Sequence, residues 1–163
     1  MKCCHNSTDR PNDVPRLNTT VPTITADATT ARVYSDPAMN FASVRKEGGA
    51  LVFESGDRAP AEGALAGLAD GTYSVGFRAN HLRMEPASDK SVGLDCRVGV
   101  CEITGSETFL HLDYGDNRWT ALVHGVHNPE SGSTLRLWLD PMHIYLFDRD
   151  GRLAASAAYA EAA

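Results

Sequence analysis

From Asp36 onward the chain is a succession of short alternating runs with only turn residues between them. Parallel strands need crossovers of a dozen or more residues, so that spacing restricts the fold to antiparallel pairing. Strands are expected at Met39–Lys46, Ala50–Glu54, Thr72–Arg78, Val92–Ile103, Thr108–Asp113, Arg118–Val123, Thr134–Leu139 and Ile144–Phe147. In the longest run Leu94, Cys96, Val98 and Val100 fall on one face, and Asp95, Arg97 and Gly99 on the other. Leu135, Leu137 and Leu139 likewise oppose Thr134, Arg136 and Trp138. Each strand is thus expected to bury one side and wet the other, as in a small barrel. Ser55-Gly56-Asp57, Asp70-Gly71, Gly115-Asp116-Asn117 and Asp150-Gly151 supply the turns.

The flanks read differently. Residues 1–32 are rich in Thr, Asn, Pro and Asp, and their isolated hydrophobes Val14, Leu17 and Ile24 keep no period. Such a segment buries too little apolar area to offset its ordering entropy and is expected to be a disordered arm. The domain is then residues 33–153. Residues 154–163, with their run of alanines, are expected to form a short helical tail.

Net charge is -6, and the 15 Lys and Arg are scattered, so no phosphate-backbone footprint is visible and nucleic acid is disfavoured as a partner. No apolar run approaches the ~20 residues of a membrane span, and the first ten residues carry no signal-type apolar core. The expected location is the cytoplasm. Cys96 and Cys101 differ by an odd number, which on an unbroken strand places them on opposite faces, so they are read as reduced thiols.

Metal and acid-base readings find little support. Cys3-Cys4-His5 has no second ligand pair nearby, and His124 and His127 flank a glycine at a strand end. His111 with Asp113 and Asp116 lacks a nucleophile in a recognised context. A phosphate loop needs glycines ahead of Lys-Ser or Lys-Thr, whereas Lys90-Ser91 follows Pro86-Ala87-Ser88-Asp89. Ile144-Tyr145-Leu146-Phe147-Asp148 matches an apolar strand ending in a magnesium-binding Asp, but Arg149 stands where a catalytic glutamate would follow. No catalytic residue, cofactor or metal site is expected.

Four landmarks carry a resemblance. Pro37-Ala38-Met39-Asn40-Phe41 resembles the Pro-x-Met-Asn-Phe that follows the nucleotide-binding domain in maltose- and glycerol-phosphate-type importer ATPases. Phe77-Arg78-Ala79-Asn80-His81-Leu82 is similar to that family's Arg-Pro-Glu-x-Leu segment, with Ala79 and Asn80 in place of Pro and Glu. Glu102-Ile103-Thr104-Gly105-Ser106-Glu107 resembles its Glu-x-x-Gly-x-Glu turn, and His143 to Asp148 with Gly151-Arg152-Leu153 its closing strand and turn.

The resemblance implies the C-terminal transport-associated OB domain of sugar-type ABC importer ATPases: an OB-fold-like antiparallel barrel, all-β, without the ATPase core. It implies a regulatory domain for a carbohydrate or polyol importer. Its partners would be an ABC ATPase core or its own copy in a homodimer, or a cytoplasmic regulator, with the membrane reached only through the transporter complex. The candidate interaction surface comprises Arg78, His81, Glu102, Glu107, Trp138 and His143. Trp138, opposite the leucines, is the better placed of the two tryptophans for a surface contact. The alternatives are a stand-alone module binding a small oxyanion or polyol, and an acidic nucleic-acid-binding barrel.

Overall fold

The computed structural model describes residues 28–29 and 37–157. Almost all of the expected arm, 1–32, and the end of the expected tail, 158–163, lie outside the described residues. The rest is a nearly closed antiparallel barrel of OB-like type.

Eleven strands form two sheets. In chain order they are β1 (Asn40–Glu47), β2 (Ala50–Phe53), β3 (Arg58–Pro60), β4 (Gly71–Phe77), β5 (Leu82–Arg83), β6 (Val92–Thr104), β7 (Glu107–Tyr114), β8 (Asn117–His124), β9 (Thr134–Leu139), β10 (Tyr145–Phe147) and β11 (Leu153–Ser156). One sheet runs β11-β10-β4-β1-β2-β3 and the other β5-β9-β6-β7-β8. All eight expected strands are present within a residue or so of their expected bounds. The short strands β3, β5 and β11 are additional.

The core between the sheets is built from the inward set of each alternation. Leu51, Val75, Phe77, Leu94, Leu110, Leu137, Leu139 and Leu146 are all fully buried. Trp119 lies among them, edge-on to Phe77 at 5.0 Å and stacked on Tyr114 at 4.2 Å between ring centroids. Its indole Nε1–H donates to the Phe41 carbonyl at 2.8 Å, so the buried polar atom is satisfied across the two sheets. Asn40 closes the seam between β1 and β8. Its Nδ2 donates to the Thr120 carbonyl, and its Oδ1 accepts from the Thr120 amide, both at 2.8 Å. A carboxamide has the donor and acceptor of a peptide group, so one side chain does here what a further backbone pair would do.

Three expectations need correction. Val100, expected on the buried face, is 57% exposed. A bulge pairs Val98 with Leu112 and Val100 with His111, so Gly99 is surplus and the alternation changes phase there. A Cβ on Gly99 would sit 3.1 Å from the His111 carbonyl oxygen, which makes glycine the residue that fits. The same phase change brings Cys101, paired with Leu110, onto the face of Cys96. The two thiols remain unpaired, five residues apart along one strand, and burial followed by the charge of Asp95 pushes the Cys96 thiol up to about 12.

The second correction concerns Ala154 to Ser156, expected to begin a helix. They belong to β11 and pair with β10, because alanine's helix propensity is a weak preference and the exposed edge of β10 offers backbone partners. The third concerns β10 itself, which is buried on both faces. Met39, Phe41, Tyr145 and Phe147 form a second small apolar cluster on the outside of the six-stranded sheet, with Ala28 and Leu153 against it. Gly76 makes this possible: a Cβ there would lie 2.9 Å from the Phe147 ring and 3.1 Å from that of Phe41.

Candidate functional site

The six candidate residues fall in three places, and the sheet topology explains why. β4 leads into β5 through the 3-10 turn Ala79–His81, and β9 leads into β10 through the 3-10 turn Pro141–His143. Because β5 pairs with β9 and β10 pairs with β4, the two corners lie side by side. His81 and His143, distant in sequence, therefore stack with ring centroids 4.3 Å apart and planes inclined by 26°. Asp140 holds the second corner: its Oδ1 accepts from the Met142 amide at 2.9 Å, and its Oδ2 from the Ser88 hydroxyl at 2.7 Å.

This corner is cationic. Burial, then the neighbouring His143 and Arg78, lower the His81 pKa to about 4, so the ring is neutral near pH 7. Arg78 Nε and His81 Nδ1 are buried without a hydrogen-bond partner. A histidine held neutral by such surroundings is poorly placed to serve as a base that cycles near neutral pH.

Trp138 lies on the outer face of the five-stranded sheet, in register with Arg83 on β5 and Gly93 on β6. It is half-buried, and the Arg136 guanidinium sits 5.5 Å from its ring centroid. Arg136 also contacts Asp95 at 3.1 Å and donates to the Gly93 carbonyl at 3.2 Å. A side chain on Gly93 would collide with the Nε of that guanidinium, so the glycine leaves the channel in which the arginine lies.

Glu102 and Glu107 occupy the far end of the same sheet, on the β6–β7 hairpin. Glu102 faces His111 at 3.3 Å and Glu107 faces His124 at 3.6 Å, all from solvent-accessible positions. Between these pairs the cross-strand neighbours Phe109 and Leu122 are half-buried, and Val100, in register with His111, is exposed. The His127 ring contacts the His124 carbonyl at 2.8 Å. Among the described residues no three His, Cys, Asp or Glu side chains converge as metal ligands.

The structure thus joins Arg78, His81 and His143 at the corner and places Trp138, Glu102 and Glu107 on one outer sheet face. Sequence reasoning missed Arg136 and Arg83. The i, i+2 spacing of Arg136 to Trp138 was available as a signal for the first, whereas Arg83 needed knowledge that β5 exists and pairs with β9.

The fold that carries these residues is an antiparallel β-barrel of OB-like type. Residues 75–147 match the TOBE domain family. The chain is similar to the sulfoquinovosyl glycerol transport ATP-binding protein SmoE of Agrobacterium fabrum, 34% identical over 116 residues, which is 69% of this chain and 32% of that protein. It is also similar to the sn-glycerol-3-phosphate import ATP-binding protein UgpC of Yersinia enterocolitica, 26% identical over 127 residues, 76% of this chain and 35% of that protein. UgpC of Chromobacterium violaceum is 30% identical over 128 residues, 77% of this chain and 34% of that protein. The chain spans about a third of the length of these curated relatives, and the region matched is their C-terminal part, not the ATPase core.

Proposed function

We propose that this domain is the accessory, regulatory part of a carbohydrate or polyol importer's ATP-binding machinery. It hydrolyses no ATP and works by making protein contacts, with an ATPase core, a second copy or a cytoplasmic regulator. Its place would be the cytoplasm, at the membrane's inner face only through the transporter complex. The observation that carries this reading is the outer face bearing Trp138 under Arg136: an aromatic and an arginine on a wet sheet face are the residue types that dominate contact surfaces. The roles of the relatives in sn-glycerol-3-phosphate import and sulfoquinovosyl glycerol transport support a carbohydrate or polyol as the substrate class.

Two measurements test it. Equilibrium dialysis with labelled ATP and magnesium is expected to show no saturable micromolar binding, and such binding would overturn the reading. Titration against the purified A. fabrum relative, followed by calorimetry, is expected to show a complex that weakens when Trp138 is replaced by alanine.

A crevice of about 310 Å³ favours a second reading, the binding of a small polyol. Ser43, Ser74, Thr72 and Asn117 line it with hydroxyl and amide groups beside Asp148 and Arg149. A rise in melting temperature with millimolar glycerol phosphate, absent in Ser43→Ala/Ser74→Ala, would select this reading.

A further inference from the structure

Beyond Gly99 the strand β6 loses one of its two neighbours. β9 pairs with it from Val92 to Arg97, and Val98 still bonds the chain just ahead of β9, its amide donating to the Ser133 carbonyl at 2.9 Å and its carbonyl accepting from the Gly132 amide at 2.7 Å. Residues 100–104 pair with β7 alone. Along such an edge every second residue turns its N–H and C=O outward, which is a template for one more strand.

The other sheet margins are blunted. β8 has the Asn40 carboxamide on its Thr120 backbone, β3 ends in Pro60, β5 has two residues, and β11 lies against the turn Gly63–Leu65. On β6, Val100-Cys101-Glu102-Ile103-Thr104 contains neither lysine nor proline, the residues that ordinarily guard an edge, and its valine, isoleucine and threonine favour extended backbone.

A groove of about 620 Å³ runs beside this edge, lined by Val100 and Cys101 on the strand and by Asn128, Pro129, Glu130 and Ser131 on the loop opposite. The Ser131 hydroxyl ties the loop to β6 at its near end, donating to the Gly99 carbonyl at 2.7 Å, and Pro129 has no amide hydrogen with which to close the gap. Among the described residues the exposed large hydrophobics are Val100, Ile103 and Val126. The first two lie on this edge. Val126 precedes His127, whose amide donates at 3.1 Å to the hydroxyl of Thr108, the cross-strand partner of Ile103. The surroundings are acidic: Glu102 and Glu130 flank the groove, and neither residues 98–117 nor residues 119–135 contain a lysine or arginine.

We infer that this edge binds an extended segment of a partner protein as an added strand, with an apolar residue beside Ile103 and a lysine or arginine beside Glu102. Main-chain bonds supply the affinity, and the apolar and charged cross-strand pairs supply the selectivity. The inference rests on the reading of the domain as a contact module and names one surface and the chemistry of what it takes. At about 3.3 Å per residue the edge is roughly 16 Å long. Because Glu102 and Glu130 are exposed, raising salt weakens the contact.

A synthetic peptide of alternating valine and lysine, about eight residues long, is the probe. Fluorescence anisotropy with the full chain is expected to show saturable binding below about 1 mM. Amide hydrogen exchange between Val100 and Thr104 is expected to slow at least about tenfold when the peptide is bound. The same peptide with its two central residues replaced by proline is expected to bind at least about tenfold more weakly, since it cannot complete the ladder. A valine–glutamate peptide is expected not to bind, and Glu102→Lys/Glu130→Lys to reverse the preference between the two peptides. The exchange measurement on the wild type decides the matter even if that variant fails to fold.

Binding of the valine–lysine peptide without added protection at this edge would overturn the inference, as would equal affinity for the valine–glutamate peptide. Protection of the same amides in the wild type alone, growing with protein concentration, would assign the edge to a second copy and overturn it too. A chain that binds the A. fabrum relative but not the valine–lysine peptide would remove this inference and leave the proposed function standing. Failure to bind either would remove both.

Discussion

Trp119 and Trp138 are the two tryptophans of the chain, each on a strand of the five-stranded sheet, and they are set in opposite ways. Trp119 points inward, is 2% exposed, holds two aromatic neighbours and ties its indole N–H to the Phe41 carbonyl across the barrel. Trp138 points outward, is half-buried and has a cation beside its ring in place of a core. The same side chain fills the interior in one case and is displayed in the other. An inward tryptophan is stabilised by what the fold supplies; an outward one contributes fully only when something else covers it.

The most severe way to break this comparison is Trp119→Ala. It should cost about 3 to 5 kcal/mol in urea denaturation, since it opens a large cavity and leaves the Phe41 carbonyl without its donor. A loss under about 1 kcal/mol would mean that the inward tryptophan is not a core residue in any energetic sense. Leu137→Ala, adjacent to Trp138 but on the buried face, should cost about 2 to 5 kcal/mol and affect association only through unfolding. A silent Leu137→Ala would invert the register on which the outward assignment rests.

Acid sharpens the contrast between packed and displayed rings at the corner. His81 has a folded pKa of about 4 against an ordinary 6.5, so between those values the unfolded chain binds a proton that the folded chain excludes. Stability is therefore complete above pH 6.5 and falls as the pH drops toward 4, by about 1 kcal/mol after allowing for the ring's partial exposure. Denaturation midpoints across that range should show the slope in the wild type and a shallower one in His81→Gln. The smallest effect on stability is expected from Trp138→Ala, under about 0.5 kcal/mol, while its association constant drops. Equal stability losses in the two tryptophan variants would erase the distinction.

Long alternating strands were legible because each carried enough inward residues to fix its phase, as Leu135, Leu137 and Leu139 did for β9. The short ones were not. Leu82–Arg83 has two residues, too few to show a period, and becomes a strand only because β9 offers it an edge. Ala154 and Ala155 follow their neighbour's hydrogen-bonding groups over their own weak preference. The candidate site was legible by kind and not by arrangement. Arg78, His81 and His143 were each picked out singly, but their meeting depends on two corners brought together by strand order, which no local pattern encodes.

Gly99 adds one residue to β6 that β7 does not match. Up to Val98 the even-numbered positions of β6 face the core, and beyond the bulge it is the odd-numbered Cys101 that does. A map of tolerated substitutions along this strand would therefore look like two different strands spliced at Gly99, each regular and out of step with the other. Deleting Gly99 would leave Val98 against Leu112 and Val100 against His111 in ordinary alternation. Every side chain would keep its face, and the strand would lose only the local bend and added twist that the surplus residue supplies. The length of β6 is thus tuned separately from its pattern, and the direction in which the hairpin leaves the barrel can change while the choice of inward and outward residues stays fixed.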